Sequence, residues 1–395
     1  MNRASDFELR RRSLLLASLA TLTGCGGVDS GGTGTGAAAS YSLGPITGFG
    51  SVIVNGVRYD ELGATIDDDE GRPLTRTDLK LGMRTEVLAS EVMTAAGLST
   101  ATAVSIRVRS EIVGPLEAFD GSNTLTVLGQ RVAVVATTVI DLGAGNTLAA
   151  LALGEVLEIH ASFDVAGGRY VASRIERRTG AAAYKLRGVV GSLALAAKTL
   201  TVGAATIDWS GTAPADPANA LAPGRSLRLT LAAVPLAGVW RATALAGGQA
   251  MLEDRAFAQI EGRVTSLMSI TQFQLDGVAV DASAASLPNG GAGIVLGAKL
   301  EVRGSLRNGV LVASRIELED DDGGAEAFEL EGRIDAVDLM AMRFTVRGVN
   351  IMWSTETRFD SSSAADIAVG RKAEVKGRLS ADRSLIEASL IHIER

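Results

Sequence analysis

The sequence is short of the residues from which most binding and catalytic sites are built. It has one cysteine and two histidines in 395 residues, and aromatic residues make up only 4%. A single thiol excludes internal disulfides, and so few nitrogen and sulfur ligands argue against a conventional zinc site. The formal net charge of −7 argues against the basic surface that binds nucleic acid or anionic lipid headgroups.

The cysteine, Cys25, ends the run Leu-Thr-Gly-Cys at residues 22–25. Three arginines at residues 10–12 and an apolar stretch of about ten residues precede it, which is the pattern of an export signal and too short for a mature membrane span. The run resembles a bacterial lipobox, so we expect cleavage after residue 24 and lipid attachment at Cys25. The arginine pair leaves twin-arginine export open beside Sec export.

Removal of residues 1–24, which hold four arginines and two acids, changes the net charge from −7 to −9. The glycine-rich stretch at residues 25–43 buries little and is predicted to be a flexible tether. Gly26, rather than aspartate, follows the lipidated cysteine, which favours the outer membrane with the chain facing the periplasm.

Beyond the tether the chain repeats one unit five times. A glycine followed closely by branched aliphatic residues recurs at steps of 70, 74, 74 and 70 residues: Gly44, Gly114, Gly188, Gly262 and Gly332. An inner glycine keeps a similar period: Gly82, Gly154, Gly224, Gly297 and Gly370. Four residues after the inner glycine stands Glu86, Glu158, Arg228, Glu301 or Glu374. The predicted repeats are residues 44–111, 112–184, 185–258, 259–326 and 327–395.

Each repeat reads as about five short strands. Residues 344–351 alternate and are rich in β-branched side chains, and residues 169–176 return in similar form at 310–317. Three strands, an irregular stretch and two more strands predict a small closed barrel, because closure removes exposed sheet edges. The fold class is therefore all-β, with five tandem OB-like barrels; an SH3-like barrel or a small sandwich is the alternative. The acidic segment 319–324 is predicted to be a flexible joint before the last barrel.

Residues 44–60, 67–71 and 79–83 together resemble a bacterial lipoprotein family classed as the domain of unknown function numbered 5666. The resemblance is closest in the first repeat and weakest in the third, and the units cover nearly all of residues 44–395. It implies a cell-envelope protein of Gram-negative bacteria. It brings no catalytic residue to any position of this chain.

Candidate chemistry is sparse. His160 and His392 fall in different repeats, and no HExxH, phosphate-loop or Gly-x-Ser-x-Gly motif occurs. The paired acids of residues 67–71 and 320–324 have calcium-like spacing but lack the distal glutamate, so solvated loops are expected. The repeated glutamates are expected on solvated strand faces, since paired-carboxylate catalysis needs two acids across one cleft. The tryptophans are expected to pack in cores or between barrels: Trp209, Trp240 and Trp353.

These patterns predict no catalytic residue, no cofactor and no metal site, with lipid attachment at Cys25 as the only site. The expected function is non-enzymatic: an envelope binding or spacer module anchored in the membrane by lipid. The alternatives are a lipoprotein that binds glycans or oligosaccharides on a barrel face, and an envelope hydrolase, which the missing catalytic set disfavours. An envelope protein or a glycan is the expected partner; nucleic acid is not.

Substitution of Cys25 tests the anchor. Each buried acyl methylene adds about 0.8 kcal/mol of membrane affinity, and stable anchoring needs more than one chain. We therefore expect Cys25→Ser to abolish metabolic labelling with lipid and to release the protein from the membrane fraction. Undiminished labelling of the variant would contradict the lipobox interpretation.

Overall fold

Strands make up most of the chain that can be described. The computed structural model describes residues 38–143, 147–248 and 252–394. Helical segments there are one α-helix, Pro217–Ala220 (α1), and four 3-10 turns: Arg76–Asp78, Leu148–Ala150, Pro288–Gly291 and Ala364–Asp366. Within the described ranges no helix has the length and apolar character needed to cross a membrane. Cys25, the signal peptide and residues 25–37 of the tether lie outside the described residues.

The strands fall into five successive sets, here called barrels 1 to 5. Barrel 1 contains β1 (Ser40–Phe49), β2 (Val52–Val54), β3 (Val57–Asp60), β4 (Thr65–Asp68), β5 (Arg84–Ala89), β6 (Met93–Ala95) and β7 (Leu98–Arg109). Barrel 2 contains β8 (Ile112–Phe119), β9 (Thr124–Val127), β10 (Gln130–Asp141), β11 (Val156–Asp164) and β12 (Arg169–Arg177). Barrel 3 contains β13 (Ala183–Ala194), β14 (Thr199–Val202), β15 (Ala205–Asp208), β16 (Ser226–Ala232) and β17 (Trp240–Gly247).

The last two sets follow the same plan. Barrel 4 contains β18 (Arg255–Ser269), β19 (Gln272–Leu275), β20 (Val278–Asp281), β21 (Lys299–Arg307) and β22 (Val310–Glu319). Barrel 5 contains β23 (Phe328–Asp338), β24 (Arg343–Val346), β25 (Val349–Met352), β26 (Arg358–Phe359), β27 (Lys372–Leu379) and β28 (Ile386–Ile393).

Strand pairing closes every set into a barrel. In barrel 2, β8 pairs with β9 and β9 with β10, all antiparallel. β10 then pairs in parallel with β12, β12 pairs with β11, and β11 returns to β8. This order, 1-2-3-5-4-1 along the repeat, recurs in the other four sets. The prediction of an all-β chain of five small closed barrels is confirmed, and the order is that of an OB-type barrel.

The two glycine markers of the sequence meet at one seam in each barrel. Gly82 lies in the turn before β5 with φ of 78°, a backbone conformation that glycine adopts without steric cost. Its N–H donates to the carbonyl of Ile46 on β1 at 2.8 Å, and the N–H of Ile46 donates to the carbonyl of Met83 at 2.8 Å. The same glycine-to-strand bond recurs with Gly154, Gly224, Gly297 and Gly370 as donors to Leu116, Val190, Val264 and Ile334.

The first glycine of each repeat makes room for the hairpin that follows it. At Gly114 an added Cβ would lie 2.4 Å from Leu128, a fully buried residue in the turn between β9 and β10. Leu128 itself has a φ of 49°, which is costly for a branched side chain. Close packing against the glycine therefore helps to hold the hairpin across the end of the barrel.

The barrels are joined to each other through their first strands. Residues 40–43 of β1 pair in parallel with residues 257–260 of β18 in barrel 4. At the other end of β1, Gly48 and Phe49 pair in parallel with Glu329 and Leu330 of barrel 5. β8 of barrel 2 pairs with β13 of barrel 3. Barrel 1 thus contacts barrels that are distant in sequence.

The buried apolar side chains form clusters that are shared between barrels in contact, whether or not those barrels are consecutive in the sequence. One continuous cluster of buried apolar side chains includes residues of barrels 1 and 5, such as Val87 and Val375. A second cluster includes barrels 2 and 3. A third fills barrel 4 and includes Tyr41 and Leu43 from the start of β1.

Two expectations about connecting segments are wrong. Residues 40–43, assigned to the tether, are buried in β1 because barrel 4 supplies a partner strand. The acidic segment 319–324 is not a free joint. Thr137 of barrel 2 donates through its N–H and its Oγ1 to the Asp321 carbonyl at 3.3 and 3.2 Å. The Asp321 carboxylate pairs with Arg263 of barrel 4.

The shared core of barrels 1 and 5 predicts a coupled response to mutation. Val375 is 1% exposed within that core, so Val375→Asp buries an unpaired charge at a cost of several kcal/mol. We expect limited proteolysis of the variant to cleave barrels 1 and 5 together. A resistant fragment that ends near residue 324 would contradict the shared core.

Val369→Asp is the matched control. Val369 is 65% exposed in the same barrel, so this change should alter the free energy of unfolding by no more than about 0.5 kcal/mol. Its proteolysis pattern should match that of the unsubstituted protein.

Candidate functional site

The repeated glutamates lie on the outside of the barrels, but three of the four are shielded from solvent. The Glu86 side chain is 16% exposed and pairs with Arg109 at 2.8 Å. The Glu158 side chain is 12% exposed and pairs with Arg178 at 3.3 Å. The expected solvated strand face is therefore wrong at these positions, because neighbouring barrels pack against the strands that carry them. Glu374, at 38% exposure, remains nearer to solvent.

Glu301 is also enclosed. Its carboxylate accepts a hydrogen bond from Gln259 Nε2 at 2.5 Å, and Gln259 in turn donates to the Asn55 carbonyl of barrel 1 at 2.9 Å. Burial, together with the negative charge of Glu261, raises the pKa of Glu301 to about 7.

Asp69 links barrel 1 to barrel 3. Its carboxylate is 4% exposed and lies 2.7 Å from Lys185 Nζ and 2.6 Å from Arg187 Nη2. Arg228, which stands where the other repeats carry glutamate, donates to the Asp69 carbonyl. Burial opposes ionisation of Asp69, but the two cations outweigh it and hold its pKa below the ordinary value of 3.8. Arg228, the positive charge that replaces glutamate in the third repeat, thus contacts Asp69. Asp69 is also one of the two acids with calcium-like spacing in residues 67–71, and its carboxylate is bound by Lys185 and Arg187 instead.

A cavity of about 150 Å³ lies where barrels 1, 2, 4 and 5 meet. Its charged lining consists of Arg84, Arg263, Lys299, Glu261, Glu319 and Asp321. Arg263 pairs with Asp321. Lys299 lies 3.1 Å from Glu261. Asp321 and Glu261 are thus paired with cations, so the cavity does not present the pair of free carboxylates that acid–base hydrolysis requires.

A second polar group lies between barrels 1 and 2 and is here called the His160 cluster: Glu158, His160 and Glu176. Glu158 and His160 alternate along β11 and so share its outer face, and Glu176 on β12 stands opposite Glu158. One ligand atom from each residue lies within 4.8 Å of the others. The imidazole is fully buried and its Nδ1 contacts the Arg109 carbonyl of barrel 1, whereas its Nε2 has no hydrogen-bond partner in the described part of the chain.

Burial keeps the His160 ring neutral at neutral pH. It lowers the pKa of His160 to about 4, although the charge of Glu158 acts in the opposite direction. A carbonyl oxygen only accepts, so the ring proton is assigned to Nδ1 and Nε2 presents a lone pair. Burial also raises the pKa of Glu176, against the effect of its ion pair with Arg174 at 2.8 Å.

The other residues singled out from the sequence lie apart. Among the described residues, the one group with metal-ligand geometry is the His160 cluster, and it does not include His392 or the acidic loops. His392 Nδ1 lies 2.7 Å from the Asp360 carbonyl in barrel 5. The tryptophans pack in the barrels as predicted, with exposures of 5%, 7% and 6% for Trp209, Trp240 and Trp353. Cys25 lies outside the described residues.

Several of the most exposed apolar side chains lie in hairpin loops. In barrel 3, Val234 and Leu236 between β16 and β17 are 77% and 82% exposed. In barrel 5, Leu339 and Met340 between β23 and β24 are 62% and 98% exposed. OB-type barrels use these two connections, between strands 1 and 2 and between strands 4 and 5, to contact ligands.

Sequence reasoning named most members of the His160 cluster without joining them. Glu158 appeared as a repeat marker, and Glu176 fell within the strand predicted at residues 169–176. His160 was set aside because its only fellow histidine lies in another repeat. The available signal was the alternation Glu-x-His on one strand, which places both side chains on the same face.

Comparison with known proteins identifies the repeats. The family described as Domain of unknown function (DUF5666) matches residues 113–176, 261–317 and 331–389, which lie in barrels 2, 4 and 5. Three of the five repeats therefore match this family, and the last two of these follow each other in tandem. The first repeat, where the resemblance was expected to be closest, lies outside the matched segments, as does the third. No curated protein matches. Among solved structures, Drosophila Unr CSD456 is similar at 12% identity with a TM-score of 0.15, over 58% of this chain and 99% of that chain.

The enclosed Asp69 predicts a large loss of stability on neutralisation. Asp69→Asn removes the counter-charge of the nearly buried Lys185 and one of the two carboxylates that pair with Arg187, the other being Glu111 at 3.3 Å. A loss of about 3–5 kcal/mol in the free energy of unfolding is expected. Urea unfolding at pH 7 measures it. Because the pKa of Asp69 is lowered on folding, its contribution is present above pH 3.8 and is lost as the pH falls below that value.

Asp67→Asn is the control two residues away. Asp67 pairs at 3.3 Å with Arg107, which is 49% exposed, so its loss should cost at most about 1 kcal/mol. Equal effects of the two substitutions would contradict the assignment of Asp69 as a link between barrels.

Proposed function

We propose that this chain of tandem DUF5666 repeats is a non-enzymatic lipoprotein of the cell envelope, which holds five barrels together and presents their loops to an envelope protein. In this proposal lipid on Cys25 anchors the chain, and the barrels face the periplasm from the outer membrane. The observation that carries it is the set of direct bonds between barrels, because these bonds hold the loops at defined positions.

Those bonds are of two kinds. Backbone pairing joins β1 to β18 and to β23, and joins β8 to β13. Enclosed ion pairs add to it, including Arg84 with Asp276 at 2.6 Å, where the arginine side chain is only 5% exposed. A spacer built from independent beads would not need charges buried between its domains, so a scaffold of fixed geometry fits these contacts better.

The binding part of the proposal rests on the exposed loops. Aliphatic side chains at Val234, Leu236, Leu339 and Met340 contact water, so covering them with the apolar surface of a partner would be favourable. The large exposed apolar side chains of the described chain are aliphatic. Sugar platforms are built from aromatic faces, so these loops suit a protein partner better than a glycan.

Site-specific cross-linking in living cells tests the proposal. A photo-reactive amino acid replaces Leu236 or Met340 in the full-length lipoprotein, and illumination should join each to the same envelope protein, identified by mass spectrometry. Glu356 is the control position, because it is exposed in the connection between the third and fourth strands of barrel 5. Absence of adducts at both loops, or equal adducts at Glu356, would contradict the binding role.

A further inference from the structure

The His160 cluster contains a polar atom that finds no partner among residues 38–143, 147–248 and 252–394. His160 Nε2 lies in a fully buried ring, and no hydrogen bond from these residues reaches it. Buried polar atoms are nearly always satisfied, and one left unpaired is costly. The lone pair belongs to the same group of ligand atoms as the carboxylates of Glu158 and Glu176, within 4.8 Å.

We propose that the His160 cluster binds one divalent transition-metal ion, with Zn²⁺ the best fit, at the interface of barrels 1 and 2. One imidazole nitrogen and two carboxylate oxygens form a ligand set typical of zinc, and water can take the fourth tetrahedral position. Calcium and magnesium prefer sites made only of oxygen atoms, so the imidazole selects against them.

The remaining nitrogen of the ring is already arranged as in metal sites. Nδ1 contacts the Arg109 carbonyl, which comes from the last residue of β7 in barrel 1. Ligating histidines usually donate their other N–H to a carbonyl or carboxylate, which orients the ring and makes the ligand nitrogen more basic. Because the carbonyl belongs to barrel 1 and the ligands to barrel 2, a bound ion would strengthen the contact between the two barrels.

Three cations face the cluster and must be accommodated. Arg174 Nε binds Glu176 Oε2 at 2.8 Å and also pairs with Asp141, so it can stay in place while the carboxylate coordinates a metal. Arg178, which pairs with Glu158, is 37% exposed and has room to turn into solvent. Lys185 is held by Asp69. The ion therefore competes mainly with Arg178 for Glu158.

Metal titration of the purified full chain tests the site. The chain carries Cys25→Ser, which removes its only thiol, and a purification tag without histidine, so neither a thiol nor the tag competes for the metal. Calorimetry with Zn²⁺ should give one ion per chain. At a hundredfold excess of free Zn²⁺ over Kd, the folded state should be favoured about a hundredfold more than without metal. Mg²⁺ at the same concentration should have no effect.

Three variants assign the ligands. His160→Gln and Glu176→Gln should each weaken Zn²⁺ binding by more than the 10–100-fold typical of outer-shell partners, whereas His392→Gln should leave it unchanged. If His160→Gln fails to fold without metal, Glu176→Gln decides, since it keeps the shape of the side chain. Absence of saturable Zn²⁺ binding, binding that survives Glu176→Gln, or binding that depends on His392 would each overturn the proposal.

Discussion

Every barrel depends on one reciprocal pair of backbone hydrogen bonds, between the turn that carries the inner glycine and an aliphatic residue of the first strand. In barrel 1 the partners are Gly82 with Ile46 and Ile46 with Met83. This pair joins the first strand to the fourth and so closes the sheet. It also sets the register of the fourth strand, because the chain leaves the turn in one conformation: the fourth residue after the glycine points outward and the fifth inward.

The outward position then decides how barrels meet. Each fifth residue, such as Val87 or Val375, is enclosed in a core, whereas each fourth residue faces the neighbouring barrel or solvent. A charge at that position is covered when barrels pack, and a covered charge needs a counter-charge. Glu86 forms an ion pair with Arg109, and Glu158 forms one with Arg178. In the third repeat the charge at this position is positive, and Arg228 contacts the carboxylate of Asp69. In the first two repeats the counter-charge belongs to the same barrel, whereas at Arg228 the periodic charge joins two barrels directly.

The sequence predicts what lies within a repeat much better than what lies between repeats. The period, the strands, the closed barrel and the buried tryptophans follow from local patterns, since each is set by neighbours within about seventy residues. Contacts between barrels are set by pairs that no period connects, such as Asp69 with Lys185. For the same reason the prediction of a flexible joint at 319–324 is wrong. The acidic composition of the segment predicts exposure to solvent, but Arg263 and Thr137 from two other barrels bind Asp321. The His160 cluster could not be predicted because the imidazole ring is oriented by a carbonyl from another repeat.

The pairing of β1 with barrels 4 and 5 has a consequence for folding kinetics. In the β-sheet, Ser40 of β1 pairs with Phe257 and Gly48 pairs with Glu329. Strand β1 is therefore synthesised before the strands it pairs with in barrels 4 and 5, and it is among the last strands to be fully paired. Contacts of such high sequence separation slow folding, because the loop must close before the contact contributes. Until then the edge of β1 is open to pairing with other chains. Prolonged exposure of that edge makes this chain a natural client for chaperones that cover open strand edges, and any event that removes the last barrel exposes the edge again.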